Sequence, residues 1–442
     1  MPGAHSAIAS VRHKLESALA LFIELINTGT ELMLGRVCNT HQQWLCRQLA
    51  DCGYIVTRQV AVADSGRDIE QAVREALAHA DLVITTGELG PTSDDLTRDL
   101  IAQMLGWTLR EDATVLAHVE NFFATRKRPM PVRAKVQALV PEGAIVLPNP
   151  HGTAPGLAME VCLNPFRPDG KPSWLVMLPG PARELHPMFV ESVLPLLRRV
   201  LPLEAGFVCR TLKTTGIGES LAQERIGGPL QRLIDAGLEL GYCARPGEVD
   251  VRLSAHGVDA ERLVREAEAI VHERLGPHIF GSNDDELESV VVRLLTERRQ
   301  TLAVAESCTG GCIAHRLTNV PGASAVFRAG LVTYSNEAKQ KLLGVRAETL
   351  ARHGAVSEAA AREMVEGARR VSGTDYALAV TGIAGPTGGT PTKPLGTVFI
   401  GLAGASGIVV EQNFNPFDRE TFKHVTAQQA LEMLRHAILD LE

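Results

Sequence analysis

Short apolar runs that end in glycine-bearing turns, each followed by an amphipathic stretch, restrict the fold of this chain more than any other feature. Asp81-Leu-Val-Ile-Thr-Thr86 runs into Gly87-Glu-Leu-Gly-Pro-Thr92, and Thr301 to Glu306 runs into Ser307-Cys-Thr-Gly-Gly311. Tyr376 to Val380 likewise runs into Thr381-Gly-Ile-Ala-Gly-Pro-Thr-Gly-Gly389. A strand that passes through such a turn into a helix is the repeating unit of a mostly parallel α/β sheet. The first long segment follows this rule. Strand patterns at Ala20 to Ile26, Ile55 to Val62 and Asp81 to Thr86 alternate with helical patterns at Thr40 to Asp51 and Asp68 to His79, and a further helix begins near Asp94.

A chain of 442 residues predicts about three domains at roughly 100–200 residues each. Residues 1–19 read as a polar extension. The α/β pattern occupies residues 20–199, with a loop-rich part from Pro141 to Gly156 and a strand from Trp174 to Leu178. Residues 200–283 read as a small α+β module. Its strands are Val208 to Thr215 and Val249 to Ala255, and its helices are Glu219 to Ile226 and Asp259 to Leu275. The likeness of this module to a KH fold is topological, because it lacks the basic G-x-x-G clamp that holds nucleic acid. The third unit, residues 284–442, opens with a helix from Glu286 to Arg298.

Composition removes several function classes. A formal net charge of −7 argues against bulk nucleic-acid binding, which needs a basic stripe to neutralise phosphates. Eight cysteines without a C-x-x-C pair argue against a structural zinc site and for reduced thiols in a cytoplasmic protein. No apolar run approaches the ~20 residues that span a bilayer. The apolar stretch at Ala18 to Ile26 contains Glu24 and reads as a buried first strand.

Chemistry is concentrated in the third unit. Ser307 stands where a strand meets a helix, a place that exposes a hydroxyl beside backbone N–H groups. Gly310 and Gly311 suit that turn to an anion or a developing oxyanion. A serine nucleophile needs a base, and Lys339 is the candidate. Ser335 reads as an N-cap, which places Lys339 in the first turn of a helix from Asn336 to Leu343. The positive end of that helix disfavours the ammonium and lowers its pKa. Tyr334, at the preceding strand end, is positioned to relay or donate a proton. The loop that starts at Thr381 and Gly382 allows close approach of a phosphate to the backbone. Taken singly, each feature has a plainer reading. Ser307 and Thr309 suit helix caps, Lys339 a solvated surface, Tyr334 a half-buried strand and the second glycine loop a turn.

Five motifs in order bear on that choice. They are Ala305-Glu-Ser-Cys-Thr-Gly-Gly311, Val332-Thr-Tyr-Ser-Asn-Glu-Ala-Lys339, Gly354-Ala-Val-Ser-Glu358, Thr381-Gly-Ile-Ala-Gly-Pro386 and Lys393-Pro-Leu-Gly-Thr397. Together they resemble the nicotinamide mononucleotide deamidase family. The resemblance implies an α/β amidohydrolase domain that releases ammonia from nicotinamide mononucleotide without a cofactor, through a group formed by Ser307, Tyr334 and Lys339. It also implies a further polar site position at Thr381. On the residues themselves, Thr309, Gly310, Gly311 and Gly382 of the two glycine loops are read as substrate contacts, with Arg328 as the candidate for the 5′-phosphate.

The first domain carries Gly29-Thr-Glu31, Gly87-Glu-Leu-Gly90-Pro-Thr92, Asp94-Asp95 and Leu178-Pro-Gly-Pro181. These resemble the molybdopterin-binding-like domain of the CinA family, which joins such a domain to a deamidase domain through a small middle module. The resemblance implies hydrolysis of ADP-ribose, with a divalent cation at Asp94 and Asp95. Here Glu88 stands where the family pattern has glycine. A carboxylate beside a diphosphate repels it by about 1 kcal/mol in water-like surroundings, and a glutamate at positive φ strains the backbone. The sequence therefore predicts weakened or absent ADP-ribose hydrolysis. The apolar helices predict a homodimer. A nucleotide-binding regulator of competence or DNA-damage responses, without turnover, is the alternative of a different class.

Overall fold

The computed structural model describes residues 21–92, 95–203 and 206–441. The chain divides into two compact units, one ending at Phe207 and the other running from Val208 to the C-terminus. Within the first, β1 (Ile23–Thr28), β2 (Arg58–Val62), β3 (Leu82–Thr86), β6 (Ile145–Leu147), β7 (Gly156–Val161) and β8 (Ser173–Leu178) form one sheet; β4 (Leu109–Glu111) and β5 (Leu139–Pro141) pair as a separate ribbon. The sheet order is β2-β1-β3-β8-β7-β6. The first four strands are parallel, whereas β7 pairs antiparallel with β8, and β6 antiparallel with β7. β1, β3 and most of β7 and β8 are buried along their length. That accounts for their unbroken apolar runs, since both faces of a parallel sheet are covered.

The second unit holds two sheets. β9 (Phe207–Thr215), β10 (Glu239–Arg245), β11 (Glu248–His256) and β12 (Ile279–Ser282) are ordered β10-β11-β9-β12. Helices Glu219–Asp235 and Ala260–Leu275 bury Ile226, Leu230, Leu263 and Val271 in a core shared with Val251 and Leu253. The first of these helices runs nine residues beyond its expected end at Ile226, through Gly227, Gly228 and Pro229. Local propensity argues for a stop there. Burial of Leu230 and Leu233 on the same face outweighs it.

The last sheet, β14-β13-β15-β16-β17, is built from β13 (Leu302–Glu306), β14 (Phe327–Val332), β15 (Tyr376–Gly382), β16 (Thr397–Gly404) and β17 (Gly407–Phe414). β13 is parallel to both neighbours, and β16 and β17 return antiparallel. Both large sheets are thus mixed where the sequence suggests mainly parallel pairing. Helix Glu358–Ser372 covers one side of the last sheet through Ala360, Met364 and Val365. Helices Leu287–Arg298 and Arg419–Leu439 cover the other. Among the described residues no helix is long and apolar enough to cross a membrane.

Helix 287–298 ends on Arg299 in the left-handed region, φ 55°, with its N–H bonded to Thr296 O. That conformation costs a residue with a Cβ about 1–2 kcal/mol, against about 0.4–1 kcal/mol of unfolded-state entropy gained by glycine. Arg299→Gly is therefore expected to stabilise the chain by about 0.5–1 kcal/mol, read as a raised midpoint in urea unfolding.

Candidate active site

Three neighbouring strand ends of the last sheet bring the candidate residues together. Ser307 follows β13, Thr333 follows β14, and Thr381 lies near the end of β15. The Ser307 N–H donates to Val380 O (3.0 Å) and the Thr333 N–H to Glu306 O (2.8 Å), so the parallel ladder holds through the turn. The turn then closes through Gly310 and Gly311, both at positive φ, and enters helix Cys312–Thr318.

Glu306 fixes this entry. Its side chain is fully buried, with Oε2 accepting from the N–H groups of Gly311 (2.9 Å) and Ile313 (3.1 Å), and Oε1 from Ala314 (2.8 Å). A carboxylate over the positive end of a helix, accepting several amides, is a strong charge-assisted arrangement. It also changes the expected oxyanion site. Gly310 N–H donates to Ser307 O, and Gly311 N–H is engaged by Glu306. The other N–H groups of the turn, those of Cys308 and Thr309, face the Cys308 thiol.

Lys339 occupies the place that the helix-start signal predicts. Helix Asn336–Leu343 is capped by Ser335, whose hydroxyl accepts from Ala338 N–H. The Lys339 side chain turns inward and is only 1 % exposed. Its Nζ lies 2.9 Å from Ser307 Oγ, 2.8 Å from Thr333 O and 3.4 Å from Tyr334 O. Burial pushes its pKa below the ordinary 10.5, against the opposing pull of the nearby Cys308 thiol. Desolvation, more than the helix terminus, is thus the main cause. Cys308 beside the serine is inert by comparison, since burial raises its thiol to about 12.

Other expected residues are placed differently. Tyr334 is 60 % exposed. Its hydroxyl accepts from Arg419 (2.8 Å), and only its backbone carbonyl meets Lys339. Arg328 is not close to Ser307: it lies four positions before Val332, the partner of Glu306, hence about 13 Å along the strand at ~3.3 Å per residue. Thr381 is buried and donates to Ala355 O (2.8 Å), which ties the second glycine loop to the Gly354-Ala-Val-Ser motif. Gly382 is required by packing, because a Cβ there would stand 2.8 Å from Thr397 O. The hydroxyls of Thr309 and Thr333 are buried without a partner. Two cations escaped the sequence reading, Arg419 and Lys423 on helix 419–439. Arg419 bonds Gly385 O and the Tyr334 hydroxyl, and the Lys423 ammonium lies within 4 Å of the space a side chain at Gly310 would fill. They lie about 80 residues beyond Lys339, so only the tertiary fold reveals them.

A second cleft, of about 490 Å³, opens at the ends of β1, β3 and β8 in the first unit. Glu31, Gly87, Glu88 and Gly90 line it. Glu88 adopts φ 55°, the left-handed conformation that the glycine turn requires. Asp95 is turned onto its own loop: Oδ1 accepts from Gly90 N–H (2.8 Å) and Oδ2 from the Thr92 N–H (2.6 Å) and hydroxyl. Asp94 lies outside the described residues. Among those described, no three His, Cys, Asp or Glu residues are grouped so as to hold a metal.

Comparison with known proteins accords with this division. Residues 284–438 match the CinA C-terminal domain, 209–281 the damage-inducible protein CinA KH domain, and 24–199 a probable molybdopterin binding domain. A putative competence-damage inducible protein of Caldicellulosiruptor bescii is 44 % identical over 420 residues, covering 94 % of this chain and 99 % of that protein. The chain belongs to the CinA family. A CinA-like protein of Akkermansia muciniphila is 43 % identical over 416 residues, covering 94 % of this chain and 97 % of its own. Among solved structures, the competence/damage inducible protein from Agrobacterium tumefaciens is 39 % identical, covering 35 % of this chain and 97 % of its own, with a TM-score of 0.33. The CinA protein from Thermoplasma acidophilum is 31 % identical, covering 41 % of this chain and 98 % of its own, with a TM-score of 0.34. This CinA chain thus has the three-part order that its motifs imply, with the middle module and last domain in one compact unit.

The buried lysine sets a pH dependence. An amine accepts a proton only when neutral, so activity requiring Lys339 as base rises with pH through its depressed pKa, below 10.5. Stability has the same sign. The unfolded lysine binds its proton more tightly, so the contribution is full above 10.5 and is lost as pH falls through the folded pKa. Lys339→Arg, which stays charged, is expected to remove this limb and the activity with it, measured as rate against pH for the two proteins.

Proposed function

We propose that the last domain hydrolyses the carboxamide of nicotinamide mononucleotide, giving nicotinate mononucleotide and ammonia. The observation that carries this reading is the 2.9 Å approach of a buried lysine Nζ to Ser307 Oγ. In the neutral amine, two N–H bonds serve the carbonyls of Thr333 and Tyr334, and the lone pair faces the serine hydroxyl. Lys339 then takes the Ser307 proton as Oγ attacks the amide carbon. The oxygen that gains charge is met by the N–H groups of Cys308 and Thr309, held in place by the Glu306-capped helix. Lys339 returns the proton to the departing nitrogen, which leaves as ammonia. Water, deprotonated by the same amine, attacks the ester and frees the acid and Ser307. No cofactor is needed for these steps.

Arg419 and Lys423 supply the positive charge that a 5′-phosphate needs, the task first assigned to Arg328. Tyr334, held by Arg419, forms part of the mouth through which the nucleotide enters. The ordered motifs resembling the deamidase family support the choice of substrate; the geometry alone supports a serine amidohydrolase. Incubation with nicotinamide mononucleotide is expected to release ammonia, and Ser307→Ala to lower the rate at least ~1000-fold. Absence of ammonia from the wild type, or an undiminished rate in the variant, would sink the mechanism.

For the first domain, we propose that ADP-ribose hydrolysis is weak or absent. Glu88 adds a carboxylate to the cleft, and Asp95 is engaged by its own loop. Assays of AMP release with Mg²⁺, Mn²⁺ or Co²⁺ are expected to give little product from the wild type and more from Glu88→Gly. Robust wild-type release contradicts this.

A further inference from the structure

The chain carries 51 acidic and 44 basic side chains, yet one surface segment is wholly basic. Between Asn121 and Pro141 stand Arg126, Lys127, Arg128, Arg133 and Lys135, and no carboxylate. All five are exposed. Exposed arginines elsewhere find acids, as Arg74 does Glu70, Arg262 does Glu266 and Arg362 does Glu358. Here, among the described residues, no hydrogen bond or ion pair engages the side chain of Lys127, Arg128, Arg133 or Lys135. None of the five lines the cleft at the ends of β1, β3 and β8.

The backbone under these cations is well fixed. Helix Ala113–Thr125 stops at Arg126, and Lys127, at φ 52°, closes the turn with its N–H on Ala124 O (3.0 Å). Arg126 sits over Phe122, its Cζ 3.5 Å from the ring centre, and donates to Phe122 O (3.2 Å). Pro129 and Pro131 restrict the stretch that follows, and Phe123 and Met130 pack on the core beneath it. The 3₁₀ turn Val132–Ala138 comes next, pinned by Arg98, which donates to Val136 O (2.6 Å). Val132 stands at the start of that turn, 86 % exposed. An apolar tip, Pro129, Pro131 and Val132, thus has three cations before it in the chain and two after.

Unpaired cations attract any polyanion, and the apolar tip separates the candidates. A duplex is read by a helix or ribbon laid in a groove, and a seven-residue 3₁₀ turn with Ala134 and Gln137 buried offers neither. A single strand needs open aromatic faces for its bases; Phe122 is covered by Arg126, and Phe123 packs on the core. A leaflet of anionic headgroups uses both parts of the segment. We propose that residues 126–135 dock the first unit on an anionic bilayer surface. The arginines and lysines meet headgroup phosphates, and Val132 with its flanking prolines enters the headgroup layer. The same surface charge repels the acidic remainder of the chain, so this segment faces the bilayer. The inference is independent of the serine chemistry of the last domain, whose ammonia assay reads a different site.

The test is co-sedimentation of the full chain with vesicles of phosphatidylcholine alone and of phosphatidylcholine mixed with phosphatidylglycerol. Binding to the mixed vesicles is expected to exceed binding to the neutral ones about tenfold or more, and to weaken as salt rises. The triple variant Arg128→Gln, Arg133→Gln, Lys135→Gln is expected to lose at least about tenfold in affinity with an unchanged melting midpoint, since these side chains hold nothing in the fold. Val132→Ser, which leaves the charge intact, is expected to weaken binding several-fold without altering its salt dependence. Equal binding to both kinds of vesicle overturns the proposal, as does undiminished binding by the triple variant or by Val132→Ser. Tighter binding to a single-stranded or duplex oligonucleotide, or to polyglutamate, than to the mixed vesicles at the same ionic strength also overturns it, and makes the partner a nucleic acid or an acidic protein.

Discussion

The Glu306 carboxylate, buried beneath the first turn of helix 312–318 and holding three of its amide protons, is the contact on which the last domain's site depends. A helix that starts inside a protein leaves several donors unmet. Here a side chain from the end of the adjoining strand meets them, which locks strand, turn and helix into one piece. Ser307 is the next residue in the chain and inherits that rigidity. The same carboxylate engages the N–H of Gly311, while that of Gly310 bonds Ser307 O.

Lys339 completes the site by a different principle. Its amine is held by main-chain carbonyls, groups that bear no charge, in a place where an ammonium is poorly solvated. Among the described residues no carboxylate bonds to it, so burial acts without a counter-ion to offset it. The two neighbouring strand ends thus differ: β13 presents Ser307, and the turn after β14 supplies the acceptors that orient the Lys339 amine.

Much of this was legible in the sequence, and the reasons differ by element. Ser335 marked the start of helix 336–343, and the cap placed Lys339 in its first turn, as observed. The strand before Ser307 was an unbroken apolar run because both of its faces are covered. Helix 219–235 was cut short at Gly227-Gly228-Pro229, since local propensity cannot register the burial of Leu230 and Leu233 that carries it onward. Antiparallel β16 and β17 were not foreseen; alternation along β17, exposed on one side, is a weaker signal than a buried run. Arg419 and Lys423 were invisible for a topological reason. They reach the site from the last helix, across the sheet order, and no local pattern links them to Ser307. Tyr334 meets the lysine through its backbone carbonyl, while its ring turns to Arg419.

Helix 419–439 has a consequence beyond packing. Near its start Arg419 and Lys423 reach towards the serine site, in its middle Gln428 receives Arg316 and lies against Gly247, and near its end Arg435 bonds Pro277 O (2.6 Å) ahead of β12. Twenty-one residues make a rod about 30 Å long, in contact with the middle module at two points and with the catalytic turn at its other end. A rod transmits displacement with little loss. The last helix therefore joins the β10–β11 and Pro277 turns of the middle module to the cations beside the Ser307 turn.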